Sequence, residues 1–197
     1  MFFFINENYG QRMRDWFTAL QKEDMKPAAE DIEVLDAIMQ RVLLEFRLEK
    51  EGCDLPKSHT DRAAAEEPMK AFIHGPPGTG KSRLIYWIRR LFTEALGWEH
   101  RVEFLCVAFQ NRVAHAIGGV TLHTGGDVNM CGGDKRLEHT DIDILFTRNQ
   151  DLRWILFDEI CMICDCLFCA FENHIADAAK VCRYLHRSDG SRRLFGG

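Results

Sequence analysis

Residues Gly75 to Ser82 read Gly-Pro-Pro-Gly-Thr-Gly-Lys-Ser, a glycine, four residues, then Gly-Lys-Ser. A lysine and a hydroxyl at that spacing behind a glycine-rich turn suit one task, cradling the phosphates of a magnesium-bound nucleoside triphosphate, here expected to be ATP. Gly75, Gly78 and Gly80 permit backbone angles and close approaches that a side chain would block. Pro76, Pro77 and Thr79 complete the loop. Lys81 would reach the outer phosphates, Ser82 would help hold Mg2+, and Arg83 follows in the first turn of the helix whose N-terminus faces the same anion. A turn that merely joined a strand to a helix would have no need of Lys81-Ser82 at this spacing.

A second pair able to do chemistry is Asp158-Glu159, delivered by the apolar run Trp154-Ile155-Leu156-Phe157. In nucleotide hydrolases an acidic residue at a strand end helps hold magnesium, and a neighbouring carboxylate can orient the attacking water. Asp158 is the metal-side candidate and Glu159 the candidate general base. Beside a phosphate loop such a pair is a site; alone it could equally be a solvated turn.

Four cysteines, Cys161, Cys164, Cys166 and Cys169, follow at once. Four thiolates could close a zinc or iron–sulfur site, but the spacing is tighter than the two-knuckle zinc pattern. The expectation is that they are small buried hydrophobes. Eight cysteines in an intracellular chain point to free thiols or metal ligands rather than a disulfide framework.

These groups need elements to hold them. Pro27 to Glu51 reads as a long amphipathic helix, with Ile32, Leu35, Met39, Val42, Leu43 and Phe46 at spacings of three and four. A shorter helix over Gln11 to Lys22 could supply its partner surface. Residues 51–69 have a connecting composition. Beyond them, short apolar runs at Ala71-Phe72-Ile73, Val102 to Ala108 and Trp154 to Phe157 alternate with helical stretches at Lys81 to Leu96 and Leu167 to Val181. That alternation predicts an α/β domain whose strands form a buried parallel sheet. Gly118 to Asp134 reads as loop, Asp141 to Gln150 is ambiguous, and Trp87 and Trp154 occupy packing positions. The expected organisation is a helical extension over 1–50, a linker over 51–69 and the α/β domain over 70–197.

At 197 residues and 46% hydrophobic the chain can bury a sizeable core. The opening apolar run is too short for a signal peptide and no later run spans a membrane, so an intracellular place without membrane attachment is expected. The net charge of −5 is uneven: residues 1–70 hold 10 of the 25 Lys and Arg but 15 of the 30 Asp and Glu. Overall charge therefore gives nucleic-acid binding no support. The basic pairs Lys135-Arg136 and Arg192-Arg193 read as solvated surface.

The phosphate loop, the stretch Gly118-Gly119-Val120-Thr121-Leu122-His123 and the run Asp158-Glu159-Ile160-Cys161-Met162-Ile163 stand in an order that resembles the Pif-type (petite-integration-frequency) DNA helicases of superfamily one, which are similar to RecD-like helicases. The resemblance runs from about Ala71 to the C-terminus. It implies a P-loop NTPase fold, a RecA-like parallel sheet flanked by helices, incomplete here and preceded by the helical extension. By the same resemblance the activity is ATP hydrolysis coupled to 5′-to-3′ translocation on single-stranded DNA or a DNA fork, in nucleus or mitochondrion, serving repair, recombination or telomere maintenance. Thr121 and His123 match family positions that face DNA; without the resemblance, His123 would read as a loop histidine bonded to a backbone carbonyl.

Three departures matter. Ala108-Phe109-Gln110-Asn111-Arg112-Val113-Ala114 stands where the family has Ala-Pro-Thr-Gly-x-Ala-Ala, so its DNA contacts do not transfer. Asp31 stands where a glutamine near the adenine is usual. The γ-phosphate-sensing Gly-Asp-x-x-Gln element is missing, as is the second RecA-like domain, to be supplied in cis or trans. The 197 residues alone are therefore expected to bind nucleotide, hydrolyse it poorly and unwind nothing. Two alternatives remain open: a non-catalytic nucleotide-binding remnant of a mobile-element helicase, and an unrelated phosphate-loop enzyme such as a small kinase.

Overall fold

The computed structural model describes residues 8–50, 69–76, 78–128, 139–149, 151–178, 190–192 and 194–196. Contacts divide the chain into two compact units, Met1–Gly97 and Trp98–Gly197. The stretch carrying the phosphate loop and its helix falls in the first unit, together with the N-terminal helices. No helix among the described residues is long and apolar enough to cross a membrane.

In the first unit, α1 (Tyr9–Leu20) and α2 (Ala29–Lys50) pair as their apolar stripes require. Tyr9 stacks on Phe46 with ring centroids 4.5 Å apart, and Met13, Leu20, Leu35 and Val42 are buried. Asp31 accepts the Ala28 amide at 3.0 Å, satisfying an amide at the start of α2. α3 (Lys81–Arg90) buries Leu84, Ile85, Trp87 and Ile88. It continues into a π-helical stretch, Leu91–Leu96, which ends at Gly97 with φ 73°. Arg90 ties these pieces together by donating to both Glu23 oxygens at 2.8 Å and to Glu94 at 2.7 Å. Trp16 Nε1 donates to the same Glu94 at 2.8 Å. Hydrogen bonding to Arg90 is the main force holding both carboxyls below their ordinary range, and the two glutamates raise Arg90 in turn.

The second unit is α/β, a three-stranded parallel sheet in the order β2-β1-β3 with helices around it. β1 (Phe104–Ala108) lies in the middle and all five of its residues are buried, as a strand paired on both edges and covered on both faces should be. β2 (Val120–Thr121) pairs with Val107 and Ala108, and β3 (Trp154–Asp158) pairs with the whole of β1. α4 (Asn111–Ala116) and α5 (Leu122–Gly126) flank β2; α6 (His139–Asn149) and α7 (Asp165–Ala178) bracket β3 in sequence. Phe171 of α7 meets Phe157 of β3 edge to face at 5.7 Å, and Phe168 and Phe195 complete the aromatic cluster.

Several sequence expectations change. Ala71-Phe72-Ile73 forms no strand: residues 69–76 are irregular, with Phe72 73% and Ile73 39% exposed. A short apolar run becomes a strand only where a neighbour offers hydrogen bonds, and no strand of the described residues pairs with this one. Gly118 to Val128 is not simply loop, since it supplies β2 and α5. The cause is Gly119, where a Cβ would collide with the Cys106 carbonyl, so that only glycine lets the chain come close enough to β1 to pair. Residues 141–149, left ambiguous by their pattern, are helical. Lys135, Arg136 and Arg193, and residues 51–68 of the proposed linker over 51–69, lie outside the described residues; Arg192 is a surface residue paired with Glu172 at 3.3 Å.

Candidate functional site

The loop before α3 closes on its own lysine. Lys81 Nζ donates to the carbonyl oxygens of Gly75 at 2.8 Å and Pro76 at 2.9 Å, and Thr79 Oγ1 donates to Pro76 O at 2.9 Å. Gly78 and Gly80 take φ of 81° and 88°, a left-handed region that costs a residue with a Cβ about 1–2 kcal/mol. At Gly75 a Cβ would stand 2.9 Å from Thr79 Oγ1, so a larger residue there would have to turn the exposed Thr79 side chain away from Pro76 O. Gly80 is the N-cap of α3, and its carbonyl accepts the amides of Arg83 at 2.8 Å and Leu84 at 3.1 Å. Ser82 and Arg83 are exposed on the first turn. Pro77 lies outside the described residues. The result is an ammonium group held by two backbone carbonyls beside an exposed glycine turn, followed directly by a helix N-terminus. Such an ammonium can exchange carbonyl oxygens for the oxygens of an anion, to which it bonds more strongly.

A second group of candidates sits at the carboxyl ends of the strands in the second unit. The register sets Thr121 beside Ala108, and Ala108 beside Asp158. Because β2 and β3 lie on opposite sides of β1, the chain order reverses there. In open parallel sheets that reversal leaves a crevice at the strand ends where ligands bind. Asp158 is the buried charged residue of the described set, 7% exposed. Its Oδ1 accepts the Glu159 amide at 3.0 Å. Glu159 is exposed, with φ 52° and ψ 45°, and its carbonyl accepts the Met162 amide at 2.9 Å. A buried carboxylate and an exposed one therefore stand side by side on a tight turn.

Thr121 is the N-cap of α5: Oγ1 accepts the Thr124 amide at 3.3 Å and lies 3.0 Å from Thr124 Oγ1. His123 stands next to Phe109, ring centroids 5.9 Å apart and 50° inclined. Its nitrogens bond to no backbone carbonyl among the described residues, whereas His174 does, at Gly126 O, 2.8 Å away. Sequence reasoning missed Phe109 at this edge. It also missed the Thr121–Thr124 cap, although a hydroxyl three residues before another at a helix start is a legible signal.

The four clustered cysteines are not packed under the sheet. All are free and exposed, while Cys106 on β1 is buried. The phosphate loop belongs to the first unit, the carboxylates, Thr121 and His123 to the second.

No protein-family model matches this chain, and no curated protein or solved structure matches it.

Proposed function

We propose that the chain is the nucleotide-binding part of a Pif-type, RecA-like ATP-dependent DNA helicase. In this reading Lys81 takes the outer phosphates and Ser82 serves as a magnesium ligand. Asp158 is the metal-side carboxylate, and Glu159 orients the attacking water. Single-stranded DNA or a DNA fork is the partner, and a second RecA-like domain in cis or trans completes the machine. The observation that carries the reading is the pair of hydrogen bonds from Lys81 Nζ to the Gly75 and Pro76 carbonyls, with positive φ at Gly78 and Gly80. A lysine at a helix start, behind a turn that left-handed glycines shape, suits a polyphosphate.

A titration with a fluorescent ATP analogue, with and without single-stranded DNA and beside Lys81→Ala, tests it. If the helicase reading holds, each ligand tightens the other, because coupling between two sites runs both ways. Nucleotide binding without that coupling favours the second reading, a non-catalytic nucleotide-binding remnant. The specific observation on its side is the irregular, exposed Ala71–His74, which joins no strand of the described residues.

A further inference from the structure

Cysteine is among the residue types most often buried, yet Cys161, Cys164, Cys166 and Cys169 are all exposed and free, and the proposed function uses none of them. Among the described residues no three His, Cys, Asp or Glu side chains are grouped to hold a metal ion, which leaves pairwise thiol chemistry. Cys166 and Cys169 lie three apart at the start of α7 (Asp165–Ala178). Helical geometry puts such Cα atoms about 5 Å apart, inside the ~4.4–6.8 Å range that a disulfide spans. Their Cβ atoms, about 5–6 Å apart in a regular helix, must approach by about 1–2 Å.

The first turn can yield that much, because its leading amides have no partner inside the helix. The ladder begins only at Phe168, whose amide donates to Cys164 O at 3.0 Å. Cys161 and Cys164 share the spacing, but Ile163 between them is extended and buried, which lengthens their span and fixes it.

We propose that Cys166 and Cys169 form a redox-active dithiol, converted to an intrahelical disulfide by low-molecular-weight disulfides of the glutathione class. One cysteine, as thiolate, attacks a sulfur of glutathione disulfide. A mixed disulfide forms, and one glutathione leaves as thiolate and takes up a proton. The second cysteine thiolate then attacks the protein sulfur of the mixed disulfide and expels the second glutathione. Two protein thiols lose two electrons and two protons, and one glutathione disulfide becomes two glutathione thiols. Phe168 lies between the two cysteines and packs on Phe157 at 5.6 Å, one residue before Asp158. Closing the bridge therefore pulls on the turn that supports the end of β3.

The test is equilibration of the reduced full chain in glutathione redox buffers, acid quenching, alkylation and peptide mass spectrometry. The expected result is a peptide bearing Cys166 and Cys169 lighter by two hydrogens and refractory to alkylation. In Cys169→Ser, and in Cys166→Ser, the remaining cysteine should accumulate a glutathione adduct that the parent chain clears. Stable glutathione adducts on both cysteines of the parent chain would overturn the proposal. So would oxidation of Cys161 with Cys164 while Cys166 and Cys169 stay alkylatable.

Discussion

Asp158 holds its neighbour Glu159 in a left-handed backbone conformation: the Asp158 carboxylate accepts the Glu159 amide at 3.0 Å, and Glu159 has φ 52°. The buried acid thus sets the direction of the exposed one, at the point where β3 stops. A glutamate pays about 1–2 kcal/mol for that backbone region, and strain of this kind concentrates where a side chain has a task. Glu159→Gly removes the strain but adds unfolded-state freedom worth about 0.5–1 kcal/mol. The variant should be equally stable or up to about 1.5 kcal/mol more stable in urea denaturation. If Glu159 orients water, the same variant keeps nucleotide binding and loses the slow hydrolysis expected of this chain. A clear loss of stability would mean that the carboxylate is a structural partner instead.

Lys81 gives a cleaner separation of fold from binding. Its two hydrogen bonds end on carbonyls of a loop whose other members are mostly exposed, so Lys81→Ala should cost well under about 1 kcal/mol of stability. A bond from an ammonium to a phosphate is worth about 1.5–3 kcal/mol, which is roughly 10- to 100-fold in affinity. Fluorescent-ATP titration should show a loss of that size with the thermal midpoint nearly unchanged. An unaltered affinity would remove the phosphate-loop reading itself.

How far the sequence carried differed by element. The long helix, β1, β3 and the helix after the phosphate loop were legible because each has a single strong periodicity or a continuous apolar run. The turn at Gly78 and Gly80 was legible because left-handed backbone at a helix start leaves glycine its usual solution. Ala71–Phe72–Ile73 was misread because a strand depends on a neighbour, which no local pattern contains. The cysteines were misread because the apolar face of α7 is taken by Phe171 and Ile175, buried at 0% and 4%. Helical spacing then turns Cys166 and Cys169 outward, a fact about phase that composition does not hold.

The Arg90 cluster makes the first unit sensitive to acid. Glu23 and Glu94 have carboxyls held below their ordinary range, chiefly by hydrogen bonds from Arg90. A depressed folded-state pKa gives stability that is present above the unfolded value, near 4.5, and lost as pH falls through the lower folded value. The thermal midpoint should therefore drop as pH falls below about 4.5. Because these groups are largely in water, solvent screening keeps the effect small. Arg90→Leu should flatten this part of the pH profile and lower the midpoint at neutral pH. If the parent and the variant show the same acid slope, other carboxylates carry it.

Gly119 and Gly78 test two different reasons for a glycine. At Gly78 a Cβ would meet nothing within 4 Å, so Gly78→Ala costs only the left-handed backbone, about 1–2 kcal/mol. At Gly119 the backbone is unremarkable, but a Cβ would run into the carbonyl of Cys106 in the central strand, which cannot swing aside as a side chain can. Accommodating it means pushing β2 away from β1, breaking the Val107–Val120 and Ala108–Thr121 pairing and tilting the Thr121 cap. Overpacking of that kind costs typically 1–3 kcal/mol, roughly, and here it also uncouples the ladder. Gly119→Ala should therefore destabilise the second unit more than Gly78→Ala destabilises the first, and hydrogen exchange at Val120 and Thr121 should quicken selectively. Equal, small losses at both positions would show that β2 is held to the sheet by α4 and α5 rather than by its approach to β1.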